Sequence, residues 1–299
     1  MTSPPTERSF FKYASPEAAE ATLTNKTVKF SSPLLFNDPF DVQTGLHFDF
    51  EIDTLLEKII DHIANYACSP AAPKVDITHP IGYLAQKARE NFPTLGFNKR
   101  KWHSIMEPSF KEDLIPIILN TQSDFKKYWE DNLPLMRVFC ISEDKENLLM
   151  WSHYAKDHTG VVFEFLSLPE RDNLISIAQQ VQYVKTPPPF FSEQEWLDDF
   201  LTIQQFNHDD LHKKYVLQKS DVWKYEKEWR IWYPFSKTEG LTEYMPINDY
   251  ELPTMYIGCK ATPLFQKNIV TIARANFPNI KIYKAIRRTD SYSLDFTEI

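Results

Sequence analysis

The chain reads as an α+β protein built on a mixed, split β-sheet that carries helices and is interrupted by a helical insertion. Three observations predict this class. Short β-branched and aromatic runs fill the chain before about residue 48 and after about residue 136, and there strands and helices follow one another without strict alternation. Between them, from Phe50 to Leu135, the apolar residues fall at helical spacing. With 42% apolar positions in 299 residues there is enough to bury a sizeable core. Residues 1–299 are therefore expected to form one α+β domain, with 50–135 as a helical insertion within it.

The elements follow in order. Ser9 to Tyr13 is a strand by composition, and Ser15 with Pro16 after it is an N-cap and first helical position for a helix to about Thr24. Thr27 to Phe30 is a second strand, leading to the turn Phe36 to Asp41, where Asn37, Asp38 and Pro39 restrict the backbone. In the middle zone Leu55, Leu56, Ile59, Ile60 and Ile63 recur at helical spacing, and similar patterns return in Ile81 to Phe92 and Phe110 to Ile118 with prolines as breaks. Met136 to Ser142 is a strand, Asn147 to Lys156 a helix, and Val161 to Phe165 a strand after Thr159-Gly160. Val181 to Val184, Trp229 to Tyr233, Met255 to Gly258 and Ile280 to Tyr283 add strands, and Glu193 to Tyr215 a helical stretch.

Composition removes several classes. Six glycines against 21 prolines leave no dinucleotide or Walker phosphate loop, since each needs glycine where backbone meets phosphate. A net charge of -8 argues against broad, non-specific nucleic-acid binding. Cys68, Cys140 and Cys259 lie far apart without a C-x-x-C, so neither a disulfide framework nor a cysteine zinc site is expected. His208 and His212 stand at i, i+4 but lack a third ligand, and no metal is predicted. Met1 to Arg8 lacks the apolar core of a signal peptide, and the longest apolar runs fall short of the roughly 20 residues of a membrane span. The expectation is a cytoplasmic protein with no membrane partner.

Four clusters combine ionisable and aromatic residues: Lys12-Tyr13, Phe36 to Asp41, Ser142 to Tyr154, and Trp223 to Arg230. Their order, F-K-Y-x-S, K-F-S-S-P-x-x-F-N-D-P-F-D, F-C-I-S-E-D-x-x-N-L-L-M-W-S-H-Y-A and W-K-Y-E-K-E-W-R-I, resembles the family catalogued as domain of unknown function 2971, over about residues 9–48 and 136–285. The sequence also resembles, more distantly, the ADP-ribosyltransferase fold, which places a cationic donor on an early strand, an aromatic residue mid-chain and a glutamate on a late strand. That resemblance implies an NAD-consuming enzyme, with NAD as substrate and an acceptor that the residues do not name. Cleavage of the nicotinamide bond builds an oxocarbenium-like centre, which a facing carboxylate stabilises. Glu228 would be that carboxylate, Glu226 of the E-x-E would activate the acceptor, and Lys12 would hold a ribose, although the superfamily has His or Arg there. Tyr13, Asn37, Asp38, Trp151, His153, Tyr154 and Arg230 are the candidate nucleotide contacts. If Trp223 to Tyr233 is extended throughout, alternation puts Lys224, Glu226, Glu228, Arg230 and Trp232 on one face.

Each cluster also has a plainer reading. The Glu226, Glu228 and Arg230 face would serve equally as a ladder of paired charges. Tyr13 would pack inward while Lys12 snorkels outward, and Asn37-Asp38-Pro39 would be a rigid turn first. Trp151 and Tyr154 fit an amphipathic core helix, His153 a hydrogen-bonding role, and Cys140 an inert core thiol. Two other functions stay open. One is a non-catalytic module that binds a nucleotide, nucleic acid or protein, as an effector in bacterial stress or phage defence. The other is a metal-dependent nuclease using Asp38, Asp41, Glu164 and Glu228.

Overall fold

The computed structural model describes residues 8–68, 75, 77–78, 80–95, 99–168, 170, 173–200 and 208–299. Its elements in chain order are β1 (Arg8–Ala14), α1 (Pro16–Asn25), β2 (Thr27–Ser31), α2 (Ile52–Cys68), α3 (Pro80–Leu95), α4 (Lys99–Asn132), β3 (Arg137–Ser142), α5 (Leu148–Tyr154) and β4 (Val161–Ser167). Then come β5 (Gln179–Gln180), β6 (Gln182–Val184), α6 (Glu193–Phe200), α7 (His208–Val216), β7 (Gln218–Ser220), β8 (Glu228–Tyr233), β9 (Thr242–Pro246), β10 (Thr254–Ile257), α8 (Pro263–Asn276), β11 (Lys281–Arg287) and β12 (Leu294–Glu298). The protein is thus α+β with a mixed sheet, since β10 and β11 pair in parallel while most other neighbours are antiparallel.

The chain divides into two compact units. The sheet unit comprises residues 1–44, 132–187 and 214–299; the helical unit comprises 45–131 and 188–213. Within the helical unit, Leu55, Leu56, Ile59, Ile60 and Ile63 line the buried face of α2, as their spacing dictates. Phe48, Phe50, Phe190 and Trp196 form an edge-to-face aromatic group. Pro108, in a stretch expected as a break, lies inside α4, as does Pro116.

In the sheet unit, strand alternation divides the core into two. Phe10, Phe163, Phe165, Met255 and Ile257 face α1 and α8, which supply Ala19, Leu23, Ile269 and Ala273. Phe11, Tyr13, Val162 and Tyr256 face the other way, onto Met150, Trp151 and Ala155 of α5 and the turn after it. Helix α1 begins as its sequence predicts: Ser15 accepts from the Ala18 N–H, Pro16 follows, and Lys26 closes the helix in the left-handed region at φ 51°.

The centre of the sheet is split. Strand β8 pairs with all six residues of β3 along one edge. The other edge is shared, and each sharer touches it at one residue pair: β1 through Phe11 and Ser142, β2 through Ser31 and Val138. Between these two contacts β1 and β2 diverge, and α1 bridges them. The edge of β3 from Phe139 to Ile141 is left facing a gap, so the Cys140 carbonyl has no strand to receive it and instead accepts from Lys12 Nζ at 2.7 Å.

The turn after α5 anchors this arrangement. Lys156, Asp157 and His158 all have left-handed φ, at 47°, 54° and 65°, a run that costs side-chain-bearing residues about 1 to 2 kcal/mol each. Backbone hydrogen bonds hold it, including Gly160 N–H to Ala155 and Lys260 N–H to the His158 carbonyl. The chains approach so closely that a Cβ on Gly160 would sit 2.1 Å from the Ala14 oxygen, and one on Gly258 2.2 Å from the His158 oxygen. Gly258→Ala should therefore lower the unfolding free energy by about 2 to 3 kcal/mol in urea titrations, and an unchanged midpoint would show that this packing yields freely.

Candidate functional site

The split encloses a cavity of about 490 Å³, within the range of small-molecule sites. Its wall takes Lys12 and Tyr13 from β1, Asn37 and Asp41 from the turn, His153 and Tyr154 from α5, Glu226 from the segment before β8 and Glu228 from the start of β8. All four clusters noted in the sequence thus meet at one place, and the two glutamates share it.

The carboxylates are held by a buried charge network. Arg230, fully buried, has its five N–H groups all engaged: Nε to Glu228 at 2.7 Å, Nη1 to Asp41 at 2.9 Å and to the Val216 carbonyl at 2.7 Å, and Nη2 to Asp41 at 2.5 Å and Glu228 at 3.2 Å. The Phe36 ring covers it, 5.4 Å from the guanidinium carbon. Lys219, from the short strand β7, donates to Glu226 at 2.5 Å and Glu228 at 2.9 Å and lies 3.5 Å from Asp41. Tyr154 donates to the remaining Glu226 oxygen at 2.6 Å. The fork geometry on Asp41 is one that lysine would not reproduce in place of Arg230.

Glu226 and Glu228 come together by a route the alternation argument did not foresee. The segment from Asp221 to Glu226 is a 3-10 helix, and Lys227 turns out of it with φ 45° before the strand starts at Glu228. Strand alternation holds only from Glu228 onward, where Glu228 and Arg230 share a face and Ile231 packs into the core opposite. Ser142 donates to the Glu226 carbonyl at 2.6 Å and Asn147, the N-cap of α5, to the Tyr225 carbonyl at 2.9 Å, which fixes the short helix against β3 and α5.

These surroundings push the two carboxyls in opposite directions. Burial alone would raise Glu228, but the adjacent Arg230 and Lys219 outweigh it and hold its pKa below the usual range. Burial also raises Glu226; Lys219 offsets this in part, the Glu228 charge adds to it, and the pKa stays above normal. Lys219 is destabilised by burial yet ends above its ordinary value because Glu228, Asp41 and Glu226 surround it. Lys12 shifts down, burial outweighing the carboxylates, with Lys29 adding to the effect. Burial drives the Cys140 thiol and Tyr154 hydroxyl up, so both stay protonated.

The other candidates have different places. Tyr13 donates to the Asp144 carbonyl and packs edge-on to Trp151. Trp151 is core, its Nε1 committed to the Lys145 carbonyl at 2.8 Å, and it stacks on His158. Asp38 makes the turn: its side chain accepts from the Phe40 N–H, which sets up Asp41 behind it. His153 is exposed at the wall, and Asn37 lies within hydrogen-bonding reach of Tyr154. Arg230 stands behind the wall with no donor left over. Lys219 and the bridging role of Asp41 escaped the sequence reading; a lone lysine in Gln218-Lys219-Ser220 carries no pattern. Of the carboxylates considered for a nuclease, Glu164 is apart, bonded to Ser9 and Tyr256. No group of three or more His, Cys, Asp or Glu is placed to hold a metal among the described residues.

Residues 150–231 match the family described as Protein of unknown function (DUF2971). The resemblance read from the motifs holds over these residues, and it brings no activity with it. The DUF2971 segment holds Tyr154, Lys219, Glu226, Glu228 and Arg230, whereas Lys12 and Asp41 reach the same cavity from outside the matched residues. No curated protein and no solved structure matches the chain. Among the described residues no helix is long and apolar enough to cross a membrane.

Arg230→Met should cost about 3 to 5 kcal/mol, because Asp41 and Glu228 would stay buried without their partner. The pH response gives a second readout. A carboxyl with a folded-state pKa below 4.5 contributes stability above that pH and loses it as pH falls, so the acid arm of the wild-type stability curve should flatten in the variant. Equal stability of the two proteins at pH 7 would remove the network from its structural role.

Proposed function

We propose that the protein is a cytoplasmic NAD-consuming enzyme of ADP-ribosyltransferase type, binding the nucleotide in the split of the sheet and breaking its nicotinamide–ribose bond. The observation that carries this reading is the pair Glu226 and Glu228 on the cavity wall, with pKa values pushed apart by their surroundings. Two carboxyls so divided supply one fixed negative charge and one proton-accepting group. Both carboxyls contact Lys219 Nζ, at 2.5 Å for Glu226 and 2.9 Å for Glu228, so the two stand side by side at one point of the wall.

The chemistry then follows from the residues. The C–N bond electrons leave with nicotinamide, and positive charge develops on the ribose ring facing Glu228. Water, or an acceptor hydroxyl or amine, bonds to C1′ and gives its proton to Glu226. Tyr154, donating to Glu226, favours the ionised form that can receive it. Phe36, Tyr13 and Tyr154 offer apolar wall for the rings.

Glu228 already accepts from Arg230 and Lys219 on both oxygens, and this favours a second reading in which the cavity binds a nucleotide without cleaving it, as an effector module in stress or phage defence. Nicotinamide release separates the two. The purified protein should release nicotinamide from NAD, and Glu226→Gln and Glu228→Gln should each lower turnover by about two orders of magnitude. Tyr154→Phe keeps the charge network and should move the rising limb of the pH–rate curve to higher pH, because Glu226 loses a bond that favours its ionised form. No release from the wild type, with or without cell extract as acceptor, or full activity in both folded glutamine variants, would leave the binding module in place of the enzyme.

A further inference from the structure

The charges on the cavity wall do not cancel. Asp41, Glu226 and Glu228 face Lys219 and Arg230, and the ion pairs of these five side chains are made within the group. Two further lysines line the wall. Lys12 of β1 donates to the Cys140 carbonyl alone, which uses one of its three protons. Lys29 of β2, exposed, makes no hydrogen bond or ion pair among the described residues, and it stands near enough to Lys12 to repel its charge. The two lysines come from the two strands that diverge at the split, so the fold brings like charges together over an apolar floor of Val28, Phe139 and Phe163. Like charges so placed raise each other's energy until an anion enters. The hydroxyls of Thr22 and Ser31 line the same wall and have no hydrogen-bond partner among the described residues.

We propose that Lys12 and Lys29 form an anion subsite for the diphosphate of a nucleotide, with the sugar beyond it directed at Glu226 and Glu228. This deepens the reading of the cavity as a nucleotide site and rests on it. A diphosphate fits better than a carboxylate because it offers several oxygens to two ammonium groups and two hydroxyls at once. Lysines here act as point charges, which suits a flexible diphosphate chain as well as a planar fork would suit a single phosphate.

The test is calorimetric titration of the full chain with inorganic pyrophosphate, ADP and adenosine, on wild type, Lys29→Gln and Lys12→Gln, with melting temperatures measured alongside. Lys29 is exposed and supports no other contact, so Lys29→Gln should fold as wild type. The expected result is ADP and pyrophosphate binding that weakens about tenfold or more in each variant, with adenosine unaffected. Unchanged ADP and pyrophosphate binding in folded Lys29→Gln, or no binding of either by the wild type at millimolar concentration, overturns the subsite. Nicotinamide release assayed in parallel separates the two ideas. Lys29-dependent ADP binding without release upholds the subsite and rejects cleavage. Release with an unchanged KM for NAD in Lys29→Gln rejects the subsite and leaves cleavage standing.

Discussion

The guanidinium of Arg230 is the point on which the site depends. A cation with no exposure to water is tolerated only where every N–H has an acceptor and the charge is matched, and Arg230 meets both conditions through Asp41, Glu228 and the Val216 carbonyl. The acceptors come from three separate stretches of chain, so one side chain ties the Phe36 to Asp41 turn, the end of α7 and the start of β8 together. Burial of such a network adds little net stability compared with an apolar core of the same size. What it does provide is geometry: Glu228 is held on two oxygens, Lys219 is drawn in by the negative charge left over, and Glu226 is placed by Lys219 and Tyr154.

The split in the sheet is the second constraint, and it creates the space the network faces. A strand edge in a protein interior needs partners for its N–H and C=O groups, and β3 finds only one residue pair from each of β1 and β2. Lys12 fills the gap at Cys140 with an amine where a continuous sheet would use a backbone amide. That substitution brings a titratable, basic group to the middle of a sheet, a position otherwise held by apolar side chains. It also explains why the charged residues of the cavity are spread along the sequence from Lys12 to Glu228: the opening lies where three strands fail to meet.

Local signals in the sequence were sufficient for the elements they govern. Ser15 and Pro16 fixed the start of α1, alternation from Glu228 to Tyr233 assigned Arg230 and Ile231 to opposite faces, and the spacing of Leu55 to Ile63 gave the buried side of α2. Elements went unread where the pattern was weak or passed over. β12, Leu294–Glu298, alternates mostly polar residues on an edge, whereas Thr262-Pro263 before α8 is a legible cap and first-turn pair. The pairing of Glu226 with Glu228 failed for a definite reason. Lys227 takes a left-handed φ that glycine or asparagine would have advertised and lysine does not, so extended geometry was carried one turn too far.

The same logic separates the readable part of the site from the rest. Clusters that mix charge with aromatic rings marked Lys12, Tyr154, Glu226 and Glu228, because a plain core has no use for such residues in short runs. Asp38 and Asp41 were both visible in one turn, yet their division of labour was not: Asp38 caps the Phe40 amide, and Asp41 reaches across 189 residues of sequence to Arg230. Lys219 had no mark at all. Its position follows from negative charge accumulated by groups distant in sequence, and a buried lysine with a raised pKa exists only once those groups have been brought together. Charge complementarity in this cavity is therefore a property of the folded chain, and the anion subsite proposed at Lys12 and Lys29 would draw on the same convergence, since β1 and β2 bring the two lysines to one wall.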